Sequence, residues 1–159
     1  KDVASGHNPF VDGLAWPRAR GYRTALHVRP PGEDDSAARR QFRDKGFQYI
    51  SLEVLPITLN RQVVDEFNRV VTDQANLPLF AYDRDSSLLG GLWYLHFRTH
   101  EGYDHERAAI KAGELGLNID ADAGPHRDMW LAIQRYLQMS RPTKRPVSKV
   151  HTASWIREP

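Results

Sequence analysis

The sequence predicts a three-layer α/β domain built on a short, mainly parallel sheet of about four strands. Three observations carry that expectation. Strand-like segments are separated by helix-like ones, so that successive strands run the same way. The run "LPLFAY" (77–82) is short and continuously apolar, as a strand buried on both faces should be. And "NRQVVDEFNRVVTDQ" (60–74) places Val63, Val64, Phe67, Val70 and Val71 on one helical stripe, with Asn60 as its cap.

Taken in order, "NPFVDGLAWPRARG" (8–21) reads as a short helix that holds Pro17 in its first turn or breaks there. "YRTALHV" (22–28) is a β-branched and aromatic strand, closed by the turn-forming "RPPGEDD". "DDSAARRQFRDKG" (34–46) has acidic and serine caps, helix formers and a terminating Gly46. "FQYISLEVL" (47–55) alternates Phe47, Tyr49 and Ser51 against Ile50, Leu52 and Val54 until Pro56 stops it. After 60–74 and 77–82 come three further helices: "SLLGGLWYLHFRTHEG", then "DHERAAIKAGELG" (104–116) capped by Asp104, then "HRDMWLAIQRYLQM" (126–139). The order is β-α-β-α-β-α-α-α, without internal repeat. Residues 1–139 form a single domain, and the basic, Pro- and Ser-containing 140–159 is expected to be an extended or disordered tail.

Composition excludes several classes of function. A net charge of only +2 over 159 residues supplies no basic field for nucleic acid, so no nucleic-acid partner is expected. No run approaches the roughly 18 apolar residues of a membrane span. The absence of cysteine rules out disulfides, thiolate metal sites and thiol nucleophiles together. The chain opens on Lys1 and reads as a trimmed piece of something longer, so a missing targeting segment leaves the compartment open.

In open parallel sheets ligands gather at the carboxyl ends of the strands. Here those ends collect Arg29, Glu33, Asp34 and Asp35, then Glu53, then Asp83 and Asp85. The motifs "GYRTALHVRPPGEDD", "FRDKGFQYISLEV" and "PLFAYDRDSSLLGGLW", in that order and spacing over roughly residues 3–117, resemble the tyrosine/dual-specificity phosphatase-like superfamily, in particular its compact bacterial members. The resemblance implies a phosphotyrosine-phosphatase-like fold. The family's signature is HCxxxxxR followed by Ser/Thr and Gly. Its cysteine is a thiolate nucleophile held by backbone amides at a helix N-terminus, and its arginine grips phosphate with paired hydrogen bonds.

Laid on that signature, Tyr82 takes the histidine position, Asp83 the cysteine, Leu89 the arginine and Gly91 the later glycine. A carboxylate at Asp83 would satisfy the loop's amides with its own charge and repel a dianion. The expectation is a pseudophosphatase: the fold kept, thiol chemistry gone, and Asp83, Arg84, Asp85, Ser86, Ser87, Arg29 and Glu53 lining a ligand site without cofactor. Its partner would be a protein or a small ligand suited to a carboxylate-lined pocket, such as a cation. Glu53 is the one acid near the place of the family's general acid.

The same loop also looks like the DxDx[TV] motif of haloacid-dehalogenase phosphatases. On that alternative Asp83 is the nucleophile, Asp85 the acid/base, and both hold Mg²⁺, with Thr99, Lys111 and the Asp120/Asp122 pair as the remaining machinery. Asp83 and Asp85 also read as caps of the following helix, which agrees with the pseudophosphatase and not with catalysis; a third reading, an accessory structural domain of a larger chain, fits the missing start and the basic tail.

Other residues carry less. His96 and His100 have zinc-compatible spacing but no third ligand in view, so packing is expected of them. Gly90 and Gly91 are expected to let the loop–helix junction approach the sheet, and Trp93, Trp130 and Trp155 to anchor core or tail. Arg98 and Arg107 would flank the site only if their helices fold back. Lys144, Arg145 and Lys149 in the tail are suited to an acidic partner.

Overall fold

The computed structural model describes residues 2–7 and 20–140. The expected helix within 8–21 and the basic tail beyond 140 lie outside the described residues, apart from the turn at Arg20 and Gly21.

Four strands form the sheet: β1 (Val3–His7), β2 (Thr24–Arg29), β3 (Gln48–Glu53) and β4 (Leu79–Asp83). Their order is β1-β4-β2-β3, and every pairing is parallel. Among the described residues five α-helices accompany them: α1 (Ser36–Asp44), α2 (Arg61–Thr72), α3 (Ser87–Thr99), α4 (His105–Glu114) and α5 (Pro125–Met139). Short 3-10 turns at Pro56–Thr58 and Gln74–Asn76 precede α2 and β4.

Strand alternation sorts the core into two layers. One face of the sheet presents Ala25, Tyr49, Phe80 and Tyr82 to Phe42 of α1. The other presents Leu26, Val28, Leu52, Leu79 and Ala81 to α2 and α3, behind which α4 and α5 pack. The stripe predicted for 60–74 is the buried face of α2, with Val64, Phe67, Val70 and Val71 inside. Asn60 caps it by accepting the Val63 N–H at 3.0 Å, and Asp104 caps α4 through Arg107 N–H at 2.9 Å.

Strand β1 is the element the periodicity did not announce. "VASGH" is small and polar, and it is a strand because it pairs with β4, Val3 opposite Leu79 through His7 opposite Asp83. An edge position with one neighbour needs little apolar content. The Trp93 indole N–H donates to Ser5 Oγ at 3.3 Å, which ties this edge to α3.

The glycine pair serves close packing, but not against the sheet as expected. A methyl on Gly90 would lie 2.9 Å from Leu117 Cβ, and one on Gly91 2.5 Å from Met129 Cγ. The pair therefore admits α5 and the segment after α4, and α3 becomes the central helix of its layer. His96 and His100 stack at 4.9 Å, and His96 is buried with Nδ1 2.8 Å from Asn68 Oδ1, the packing role expected of them. Among the described residues no helix is long and apolar enough to cross a membrane.

Candidate functional site

Strand β4 ends on Asp83, and after three intervening residues α3 begins at Ser87. So tight a strand-to-helix turn leaves backbone N–H groups facing inward, because the first turn of a helix has no internal acceptors for them. Ser86 makes the turn in the left-handed region, at φ 68°. Asp83 Oδ1 accepts the Ser86 N–H at 2.9 Å, and Oδ2 accepts the Leu89 N–H at 3.0 Å. Asp85 Oδ1 accepts both the Ser87 N–H, at 2.9 Å, and the Ser87 hydroxyl, at 2.5 Å. Two aspartates upstream of the helix thus cap it, while Ser86 at the cap position uses no side chain. Asp83 is 1% exposed.

The loop is braced from outside. Gly116, at φ +100°, lies so close that a methyl there would stand 2.7 Å from Ser86 Cβ. His126 accepts the Asn118 N–H on Nδ1 at 3.1 Å, which leaves the proton on Nε2 to donate to the Asp85 carbonyl at 3.0 Å. Burial alone would push the Asp85 carboxyl up. The Ser87 hydrogen bonds, with His126 and Arg84 nearby, outweigh burial and hold it below its ordinary range.

Above this loop and the carboxyl ends of β2 and β4 lies a cleft of about 710 Å³. Among the described residues five carboxylates line it, those of Glu33, Asp34, Asp83, Asp85 and Asp128, against the guanidinium groups of Arg29 and Arg84. Arg84 is 82% exposed and 3.8 Å from Glu33. Arg29 is buried and committed: Nε donates to Ser51 Oγ at 2.7 Å, one terminal nitrogen to the Glu33 carbonyl at 2.6 Å, the other to Glu53 Oε1 at 2.9 Å. Asp35 stands 3.5 Å from its Nε.

Beside Arg29 runs a second polar chain. The Tyr49 hydroxyl donates to Asp35 Oδ2 at 2.8 Å and therefore accepts from His27 Nδ1 at 2.9 Å. The His27 ring stacks on Tyr82 at 4.5 Å and lines the cleft. Burial lowers the His27 pKa, against the opposing pull of Glu33. Burial also raises Tyr49, helped by its bond to Asp35, so the phenol stays a donor. For Asp35 burial acts upward, but Tyr49, Arg29 and Arg39 prevail and keep it ionised below the usual carboxylate range.

Of the residues expected at a ligand site, Asp83, Arg84, Asp85, Ser87 and Arg29 line the cleft. Ser86 is buried beneath it as the turn residue, and Glu53 is turned to Arg29 at the end of β3 outside the lining. Leu89, laid on the family's arginine position, is buried in the core and offers the loop its amide alone. Thr99, Lys111, Asp120 and Asp122 are absent from the lining: Thr99 ends α3, Lys111 lies within α4, and the two aspartates follow α4. Among the described residues no group of three or more His, Asp or Glu is placed to hold a metal ion. Arg98 reaches Tyr94 Oη at 3.2 Å and Arg107 covers the Tyr103 ring at 3.8 Å, so neither flanks the cleft. Sequence reading missed His27, Asp128 and the brace His126. "GPH" before an apolar stripe marked only a helix start, and the Asp85 carbonyl that His126 braces is far off in sequence.

No family model and no curated protein matches the chain. Solved structures do. The core catalytic domain of the PP-IP phosphatase SIW14 from S. cerevisiae superposes with a TM-score of 0.64 at 14% identity, covering 84% of this chain and 80% of that one. P. aeruginosa TpbA gives 0.63 at 16% identity over 84% and 79%. Tk-PTP in its active form gives 0.64 at 10% identity over 87% and 92%. At such identities the likeness is one of architecture: the chain has the tyrosine/dual-specificity phosphatase-like fold.

Proposed function

We propose that this chain is a pseudophosphatase, a phosphatase-like domain that acts by binding and not by phosphoryl transfer. The observation that carries the reading is the engagement of Asp83 Oδ1 and Oδ2 with the amides of Ser86 and Leu89. Those are the kind of donors that would otherwise face a phosphate, and here they face a carboxylate of the protein itself. The sequence has no cysteine to supply a thiolate. Arg29 is spent on Ser51, Glu33 and Glu53, and cannot turn to an anion without breaking those bonds. A cleft with more carboxylates than guanidinium groups suits a partner that presents positive charge, such as a lysine- or arginine-bearing protein segment.

The deciding experiment is aryl-phosphate hydrolysis by the purified chain with and without Mg²⁺, beside Asp83→Asn, with thermal-shift titrations of phosphate and Mg²⁺. The expected result is no turnover and no stabilisation by phosphate. Turnover that requires Mg²⁺ and disappears in Asp83→Asn would replace this reading with that of an aspartyl-phosphate enzyme.

A further inference from the structure

On the far side of the α3–α5 layer lies an open groove of about 730 Å³, apart from the cleft at the strand ends and sharing no lining residue with it. It is formed by the last turn of α3, the first turn of α4 and the outer face of α5. Among the described residues no aspartate or glutamate lines it. Two arginines do, and both have donors to spare. Among the described residues Arg98 makes a single hydrogen bond, to Tyr94 Oη at 3.2 Å. Arg127 is half-buried, and among the described residues it has neither a hydrogen-bond acceptor nor an acidic partner. By contrast Arg29, Arg39, Arg61, Arg69 and Arg84 each stand within 4.0 Å of a carboxylate.

The same groove has an aromatic wall. Trp130, also half-buried, meets Tyr94 edge-on at 5.1 Å and leans on His105 at 6.0 Å. Tyr94 Oη and His105 Nδ1 are hydrogen-bonded at 2.9 Å, which fixes the two rings with respect to each other. Rigid aromatic surface beside unneutralised guanidinium groups is complementary to a body that is planar at one end and anionic at the other. The ring packs on the aromatic wall while the anion takes the paired N–H donors.

We propose that this groove is a second ligand site, for a planar organic anion: an aromatic or heteroaromatic ring bearing a phosphate or carboxylate. Arg98 and Arg127 hold the anion, and Trp130 supplies the surface for the ring. The site is independent of what happens at the Asp83 loop.

The test is calorimetric titration of the full chain with AMP, with adenosine and inorganic phosphate as the ring-only and anion-only probes, and 2-naphthoate as the carboxylate arm. Variants Arg98→Gln and Arg127→Gln address the anion, and Trp130→Leu the ring. Glu33→Gln, in the other cleft, is the control. AMP or 2-naphthoate should bind, at least about tenfold more weakly in either arginine variant and unchanged in Glu33→Gln. Adenosine and phosphate should bind far more weakly than AMP. Matching melting temperatures among the variants exclude misfolding as the cause. If Trp130→Leu alone fails to fold, the arginine variants and the two half-probes still decide. Absence of binding by both AMP and 2-naphthoate, binding indifferent to both arginine substitutions, or binding lost in Glu33→Gln would overturn the assignment. So would phosphate binding as tightly as AMP.

Discussion

Asp83 Oδ2 accepts the backbone N–H of Leu89 at 3.0 Å, joining the last residue of β4 to the first turn of α3 through a buried carboxylate. The loop between them is closed by this bond and by the one from Ser86 to the other oxygen, so the strand-to-helix turn carries its own anion.

Asp83→Asn tests how much that closure is worth. An amide keeps the shape and one acceptor oxygen, but its NH2 group must face an N–H where a carboxylate oxygen stood. Hydrogen bonds to charged groups contribute about 1.5–3 kcal/mol, so Asp83→Asn should lose roughly that amount, and Asp83→Ala, which strands both amides, more. Urea denaturation gives the comparison. A stability for Asp83→Asn within about 0.5 kcal/mol of the parent would remove the closure from the account.

Two glycines near each other in sequence should respond in opposite directions. Gly116 sits at φ +100° with Ser86 against it, so Gly116→Ala combines backbone strain with a 2.7 Å collision and should cost more than about 1 kcal/mol. Gly113 is in α4 with nothing within 4 Å of its missing side chain, and Gly113→Ala should gain about 0.5–1 kcal/mol. Thermal melts of the pair settle both. Equal shifts of one sign would mean the Ser86–Gly116 contact does not hold the loop.

What could be read from the sequence follows from whether a feature is local. The buried strand Leu79–Asp83, the capped stripe of α2 and the polar turn after Asp83 each carry their cause within a few residues, and each was expected close to its observed bounds. The edge strand Val3–His7 has its cause in Leu79–Asp83, more than seventy residues on, and its own small polar residues do not announce it. The candidate site divides the same way. Asp83 and Asp85 were legible because they act on the next few amides. His126 braces the Asp85 carbonyl from α5, and the Asp35–Tyr49–His27 chain links three separate elements, so neither had a sequence signal.

Two histidines, His27 of that chain and His96 of α3, predict a pH response. His27 and His96 are both held below the ordinary histidine pKa of 6.5, in each case chiefly by burial. For His27, Glu33 and Asp35 pull upward and Arg29 downward; for His96, His100 pulls downward and Glu101 upward. A lowered folded pKa means that the unfolded chain binds protons first as pH falls, so stability is full above 6.5 and is lost as pH drops through the folded values. The melting temperature should therefore decline on acidification below 6.5. His27→Gln and His96→Gln should each flatten the decline, and together flatten it most. A slope identical in the parent and the double variant would place the linkage elsewhere. At lower pH a second loss is expected as Asp35 and Asp85 protonate: their folded pKa values lie below 3.8, so their contribution is present above that value and vanishes beneath it.

Arg29 is a brace of the cleft and not a reserve of positive charge, and substitution separates the two roles. Its Nε and both terminal nitrogens are taken up by Ser51, the Glu33 carbonyl and Glu53, a three-way geometry that needs the planar fork of a guanidinium. Arg29→Ala leaves Asp35 and the Glu33 carbonyl short of a partner in a buried setting and should cost about 3–5 kcal/mol, the range for breaking a buried ion pair. Arg29→Lys keeps the charge but can reach only part of that arrangement, so it should recover less than half of the loss. If Arg29 instead served as a free anion anchor, lysine would hold stability near the parent value, and phosphate would raise the melting temperature of parent and lysine variant alike. Denaturation curves with a phosphate titration distinguish the cases, because a brace predicts a large stability loss and a flat phosphate response.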